Sequence, residues 1–500
     1  MANIRVECAK YMMIILIAIY AYQCFTVFAY EDGEAKRRIF RSQNRVMLMI
    51  HFLAFAGMYF KIDENKILIF YLAQLLMLLG IIWLYTKVYP RVSRLIVNNM
   101  CMLLTIGFIM ITRLSYQKAV KQSIIVAVSV AISLAVPVII RKIKGLSMLR
   151  TLYALIGLVA LAAVVVVGSV SGGAKLGFEI AGFGIQPSEF VKILFVFFVA
   201  SSFHKTVSFP NVVVTTIVAA FHVLILVVSK DLGAALIIFV VYLVMLYVST
   251  RKPGYALMGL LAGSGAAVIA YHLFSHVRVR VLVWQDPFAV YDRGGYQVAQ
   301  SLFAIGTGGW FGTGLFQGKA DAIPVADEDF IFSAIAEEMG LIFALCLILI
   351  CLSCYIMFLN IAMQLRNRFY KLVALGLGTC YIFQTFLTIG GVTKFIPSTG
   401  VTLPLVSYGG SSVLSTLLMF AIIQGLYILK EDEEEDIERK RQEKAREKAN
   451  RRNRNHLSGV GAEREIRQSS PRTRSQRTGS QAGRNAANAA QRRARGKENR

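Results

Sequence analysis

The chain is poor in the residues that staple or metallate small proteins. In 500 residues it has seven cysteines and six histidines. Cys8, Cys24, Cys101, Cys346, Cys351, Cys354 and Cys380 lie mostly inside apolar runs, which argues against a disulfide framework. Cys351 and Cys354 form a CxxC on an apolar helix; two buried or lipid-facing side chains explain it more simply than redox or metal chemistry does. The histidines show no ligand spacing, which argues against zinc. Charge is scarce as well: Asp, Glu, Lys and Arg together make up 17% of the chain. Acids are the scarcer sign, 29 against 54 bases. The first apolar run, 11–30, lacks a small-residue cleavage site and reads as a retained helix.

What is present is apolar. Hydrophobic residues make up 56% and the mean hydropathy is +0.58, which marks a polytopic membrane protein. A spanning helix needs about 20 apolar residues. Thirteen candidates occur: 11–30, 46–60, 67–86, 95–111, 123–140, 151–168, 188–203, 212–229, 232–248, 255–274, 330–359, 372–389 and 411–429. Alternate loops carry the Lys and Arg, among them Arg37, Arg38, Arg91, Arg141 and Arg251. The positive-inside rule makes those loops cytoplasmic, with the N-terminus outside and the C-terminus inside. Three irregular connections, 169–187, 275–329 and 390–410, then fall outside. After Lys430 an acidic-then-basic run suggests a solvated helix, and from Leu457 a low-complexity tail should be disordered. A basic tail suits anionic lipid. No RNA-binding motif or aromatic interleaving supports nucleic acid.

The working part should be the polar stretch 284–329, too polar for lipid unless protein or water covers it. Its run GTGGWFGTGLFQG could bring backbone N–H groups to a phosphate, but no strand precedes it and no Lys-Ser/Thr follows. If 294–301 is helical, Gln297, Gln300 and Ser301 share a face. In QPSEFVK, Pro187 should open a helix, with Gln186 and Ser188 at its start and Glu189 and Lys192 on one face. Intramembrane charges mark a pathway or a site, or here a self-neutralising pair that fixes packing. Lys230 and Asp231 interrupt two apolar runs, as a turn or as a cavity lining. The run 394–412, with Lys394, Ser407 and Tyr408, is a shaped loop whose hydroxyls could bond a sugar or diphosphate. Asp329 stands just before an apolar run, as a helix N-cap or as a working acid.

QPSEFVK, KDLGAAL, WQDPF…GYQVAQSLFAIGTGG, DEDFIF…EE and P-x-TGVTLPLVSYGGSS occur in that order. Together they resemble the SEDS (FtsW/RodA/SpoVE) family of bacterial cell-wall proteins, from about residue 99 to 429. The resemblance implies an all-α polytopic fold: a ten-helix core, 95–429, after about three extra helices in 1–94 and before a cytoplasmic tail, 430–500. It implies a peptidoglycan glycosyltransferase that polymerises lipid II outside the membrane, with Asp329 as the catalytic acid. Lys175, Lys192, Arg280 and Lys394, or a divalent cation such as magnesium or manganese, would offset the diphosphate charge. Gln186, Ser188, Glu189, Asp231, Gln297, Gln300, Ser301, Ser407 and Tyr408 are the further substrate-binding candidates. The implied partners are a class B penicillin-binding transpeptidase and other division or elongation proteins. Gly177 stands where many members have tryptophan, and Thr399 where division-type members have lysine. A lipid II flippase and a non-enzymatic scaffold are the rival readings.

Overall fold

The computed structural model describes residues 2–143, 145–171, 174–180 and 183–468; the side chains of 2–6, 169–176, 179–180, 183, 293, 449 and 451–468 lie outside that description. Two units divide between Glu433 and Glu434. The first is a helical membrane body. In hydrocarbon every backbone polar group must be satisfied within the protein, and helices do this unaided.

The N-terminal extension is α1 (Ala2–Thr26), α2 (Gly33–Ile62) and α3 (Asn65–Val88). Asp32 caps α2, accepting from Glu34 N and Ala35 N at 3.1 Å each. The expected span at 46–60 is the C-terminal half of a 30-residue helix. Next come α4 (Arg94–Leu114), α5 (Tyr116–Ser133), α6 (Val136–Lys142) and α7 (Arg150–Val167). Pro137 starts α6, so the apolar run from 116 to 142 is broken near its C-terminal end. The connection 169–185 holds three short antiparallel strands, β1 (Ser169–Ser171), β2 (Ala174–Ile180) and β3 (Phe183–Ile185), in the order β1-β2-β3. It is more regular than its sequence suggests.

Pro187 opens α8 (Pro187–Phe203), followed by α9 (Phe209–Val228), α10 (Leu232–Thr250) and α11 (Pro253–Leu273). The stretch 275–329 is also more ordered than expected, because it contains α12 (Ser275–Gln285) and α13 (Tyr296–Gly308). The expected span 330–359 is not one helix. It breaks into α14 (Ile331–Met339) and α15 (Leu341–Gln364) at Gly340, whose φ of +88° no helix accommodates. The chain ends in α16 (Arg368–Val392) and α17 (Gly410–Gln468). Among the described residues, twelve helical segments are long and apolar enough to cross a membrane. The 17-residue α8 is not among them; it lies almost wholly buried. In the second unit, 434–468 is helical, so helix continues past Leu457, where disorder is expected; Ala, Glu and Arg there favour it. The rest of the tail lies outside the described residues.

The body is built on α4, whose residues 95–113 are all buried. Small residues permit close approach, as expected where packing drives helix association. A Cβ on Gly107 would lie 2.6 Å from the Val406 carbonyl, and one on Gly376 would lie 2.7 Å from Val196 and Met245. Polar seams add specificity. Asn98 Nδ2 donates to Gln43 Oε1 at 3.0 Å, and Asn99 Nδ2 to Ser353 Oγ at 3.2 Å. At the opposite end from the polar stretch, Asp432 pairs with Arg91 and Arg141.

Candidate active site

Asp329 lies at the seam between the loop 309–329 and α14. It is not the helix cap: Phe330 holds that position and no side-chain cap bond forms. The loop is fastened at two places. First, it lies across the C-terminal end of α14. Thr313 N and Gly314 N donate to the Glu337 and Glu338 carbonyls at 2.8 Å each. Lys319 N donates to Glu337 Oε1 at 2.8 Å, and Phe316 N to Glu338 Oε2 at 3.3 Å. Gly312 (φ +74°) and Gly340 meet backbone to backbone: a Cβ on Gly340 would lie 2.4 Å from Gly312 N. The Gly-rich run thus shapes backbone and wraps a helix end.

Arg113 closes this fastening. Its Nε donates to Glu338 Oε1 at 2.9 Å, and its NH1 lies 3.2 Å from Asp321 Oδ1. Its guanidinium lies 4.5 Å from the Phe316 ring centre. Glu338 is fully buried, and burial pushes its carboxyl up to about 7 against the pull of Arg113.

The second fastening holds the three consecutive acids. Tyr408 N donates to the Asp327 carbonyl at 2.7 Å, and Ser407 Oγ donates to the Glu328 carbonyl. Gln122 Nε2 donates to the Ser407 carbonyl at 3.1 Å. Lys118 Nζ lies 2.6 Å from Asp327 Oδ2 and 3.6 Å from Glu328 Oε1, with the Tyr408 ring 5.2 Å below it. Asp327 and Glu328, the acids next to Asp329, are therefore spoken for. Asp329 faces other company. A Cβ on Gly400 (φ +70°) would lie 3.8 Å from Asp329 Oδ2 and 3.9 Å from an Arg280 terminal nitrogen. Carboxylate and guanidinium thus border one small turn. Burial raises the Asp329 carboxyl to about 7, with Glu328 and Asp327 adding repulsion and Arg280 opposing.

Arg280 comes from α12, which lies along the last loop. Its NH1 donates to the Ser398 carbonyl at 2.7 Å, and Trp284 Nε1 donates to the Lys394 carbonyl at 3.2 Å. Burial lowers the Arg280 pKa, while Asp329 and Asp231 favour its charge. For His276, one turn earlier, burial lowers the pKa, and nearby Lys230 and Arg280 lower it further. Two polar atoms beside this turn, His276 Nε2 and Thr399 Oγ1, are buried without a protein partner. An orphaned buried polar atom calls for a ligand or water.

The other sequence candidates fall into separate groups. Gln186, Ser188 and Asp231 form a joint: Asp231 Oδ2 accepts from Ser188 Oγ at 2.7 Å and from Gln186 Nε2 at 3.1 Å, while Oδ1 caps α10 through Ala234 N. Glu189 and Lys192 are 2.9 Å apart and buried. Gln384 Oε1 takes a second Lys192 bond at 2.7 Å, and Ser415 Oγ donates to Glu189 at 2.8 Å. Ser301 turns inward to Ser333 at 2.6 Å and to the Val392 carbonyl at 2.8 Å, away from the shared polar face expected of α13. Gln300 donates to the Tyr291 hydroxyl at 2.9 Å, and Gln297 is half-buried. Lys394, at φ +60°, contributes its carbonyl to the Trp284 bond. The side chain of Lys175 lies outside the described residues. Sequence reasoning missed Lys118, Arg113, Gln122 and His276. Arg113 and Lys118 are lone charges near helix ends, a pattern shared with ordinary interface anchors.

These features meet in a polytopic membrane protein whose Asp329, raised toward neutrality, borders Arg280. Residues 93–431 match the model of the cell cycle protein family of FtsW, RodA and SpoVE, and the chain belongs to that family. The chain is 36% identical to the peptidoglycan glycosyltransferase RodA of Mycobacterium leprae over 360 residues, covering 67% of this chain and 77% of that one. It is 40% identical to RodA of Mycobacterium tuberculosis over 267 residues, covering 50% and 57%. It therefore spans little more than half the length of the tuberculosis relative. Among solved structures, a peptidoglycan synthase complex superposes with a TM-score of 0.58 at 23% identity, over 68% of this chain and 98% of that one. RodA of Thermus thermophilus gives 0.52 at 22% identity, over 67% and 96%. At these identities the structures establish the fold.

Proposed function

We propose that this protein is a peptidoglycan glycosyltransferase that polymerises lipid II at the outer face of the membrane. The observation that carries the reading is Asp329: an acid raised to about 7, free of Lys118, bordering Arg280. Near neutral pH such a carboxylate is ionised in part and basic enough to take a proton, which is what general-base catalysis requires. The acceptor sugar hydroxyl attacks the anomeric carbon of the donor. The new C–O bond forms as the bond to the diphosphate breaks, the proton passes to Asp329, and the diphosphate leaves with the electron pair. Arg280 is the natural guanidinium for that diphosphate, since its fork matches phosphate oxygens. His276 Nε2 and Thr399 Oγ1 are free to meet sugar or phosphate oxygens.

The acids do not converge as a metal site does. Asp327 and Glu328 turn to Lys118, and among the described residues no three metal-ligating side chains come together. The flippase reading draws on the buried Glu189–Lys192 pair and on the number of helices; the pair's bonds to Gln384 and Ser415 suit a closed packing element. A class B penicillin-binding transpeptidase remains the natural partner, since a new strand must be crosslinked. The test uses purified protein in proteoliposomes with labelled lipid II. Glycan chains should form, and Asp329→Ala should lower their rate on the order of 10²–10⁴-fold. Normal polymerisation by that variant sinks the assignment; translocation without polymer supports the flippase.

A further inference from the structure

The family match begins at residue 93, yet a helix before it touches the loop that leads to Asp329. α1 packs against α15 and is pinned at two depths. Midway, the Tyr20 hydroxyl and the Cys24 thiol donate to Asn99 Oδ1 at 3.1 and 3.2 Å. At its N-terminal end, Lys10 Nζ donates to the Gly312 carbonyl at 3.1 Å. Lys10 is only 5% exposed, and Glu7 Oε2 lies 2.6 Å from its ammonium. A buried ammonium is tolerated only when paired and hydrogen-bonded, so this contact is built and not incidental. Beside it the Tyr11 and Phe311 rings lie 5.8 Å apart.

The contact point matters. Gly312 has a left-handed backbone, bonds through its N to the Gly308 carbonyl at 2.8 Å, and abuts Gly340. Directly after it, Thr313, Gly314, Phe316 and Lys319 are bonded to the end of α14. The other end of that nine-residue helix adjoins Asp329. Lys10 therefore grips the glycine that immediately precedes the first fastening of the loop to α14.

We propose that Lys10 is a positioning residue: the extra N-terminal helix clamps the Gly-rich loop over the end of α14 and so holds Asp329 in its acting geometry. The activity arm of the test rests on the polymerase reading; the exchange arm does not. Full-length protein is placed in proteoliposomes, and amide hydrogen exchange of 309–319 is followed alongside polymerisation of labelled lipid II. Lys10→Met should speed exchange at Thr313, Gly314 and Phe316 roughly tenfold, the size expected from losing one charge-assisted hydrogen bond. It should lower kcat several-fold with KM unchanged, and Lys10→Arg should restore both. Tyr11→Ala, at an exposed position, should loosen the same loop more mildly and folds even where Lys10→Met does not. Tyr20→Phe should lower Tm without changing loop exchange. Unchanged loop exchange in Lys10→Met, or in Tyr11→Ala where Lys10→Met does not fold, overturns the clamp. So does faster exchange with kcat intact. If the unmodified protein makes no polymer, the polymerase reading fails and exchange alone decides the clamp.

Discussion

α4 and α11 are both 21-residue helices, and both are apolar enough to cross a membrane. In the fold they are opposites. Every residue from Leu95 to Arg113 is buried, whereas α11 buries none. α4 carries Asn98, Asn99 and Arg113 and bonds to α2, α1, α15 and the acidic loop. α11 leans on α10 through glycines: a Cβ on Gly263 would lie 2.3 Å from the Phe239 ring. Each leads to one half of the candidate site. α4 braces the segment that presents Asp329; α11 delivers α12 and Arg280. The acid is braced from a wholly buried helix, and its cationic neighbour follows one that buries no residue.

The largest effect should come from breaking the rigid half. Arg113→Ala leaves Glu338 buried and unpaired, which should cost about 3–5 kcal/mol and show as a large drop in Tm. Replacing both with apolar residues, Arg113→Met with Glu338→Leu, should recover much of that loss, since the pair is costly to bury in the first place. The loose half should respond in activity instead. Arg280→Gln should lower kcat/KM by roughly 10²-fold while Tm stays nearly unchanged. An equal loss of both would show that α12 is as integral as α4.

The raised Asp329 pKa joins activity to stability. A folded-state value of about 7 means the folded protein binds this proton more tightly than the unfolded chain. Stability from this group is thus present below the ordinary Asp range and lost as pH rises toward 7. Asp329→Asn should therefore be inactive yet raise Tm at pH 8, with no gain near pH 4, as read by thermal melts across pH. Wild-type activity should climb with pH through about 7 and then level off. The smallest effect belongs to α11. Gly263→Ala should cost about 1 kcal/mol through crowding of Phe239 and lower activity only slightly.

The spans were legible because an apolar run of twenty residues has few other uses. The break at Gly340 was not, because a glycine within an apolar run says nothing of its φ. Helix α12 was hidden by its alternating charged and β-branched residues, and α13 was weighed as a helix only over 294–301, without its apolar continuation to Gly308. Asp329 was found through the motif series, and its separation from Asp327 and Glu328 needed the position of Lys118. That lysine lies some 200 residues away in sequence, and only folding brings it near. The Lys10 contact was invisible for the same reason.

The meeting of Gly312 and Gly340 carries one last consequence, for how this sequence can change over time. Neither position can accept a methyl group without displacing the other's backbone. Neither can be rescued by shrinking its partner, because the partner is already the smallest residue. Drift at this point has no compensating second step. Variation in the loop should therefore collect at the neighbouring side chains, with the two glycines retained together or abandoned together with the loop itself.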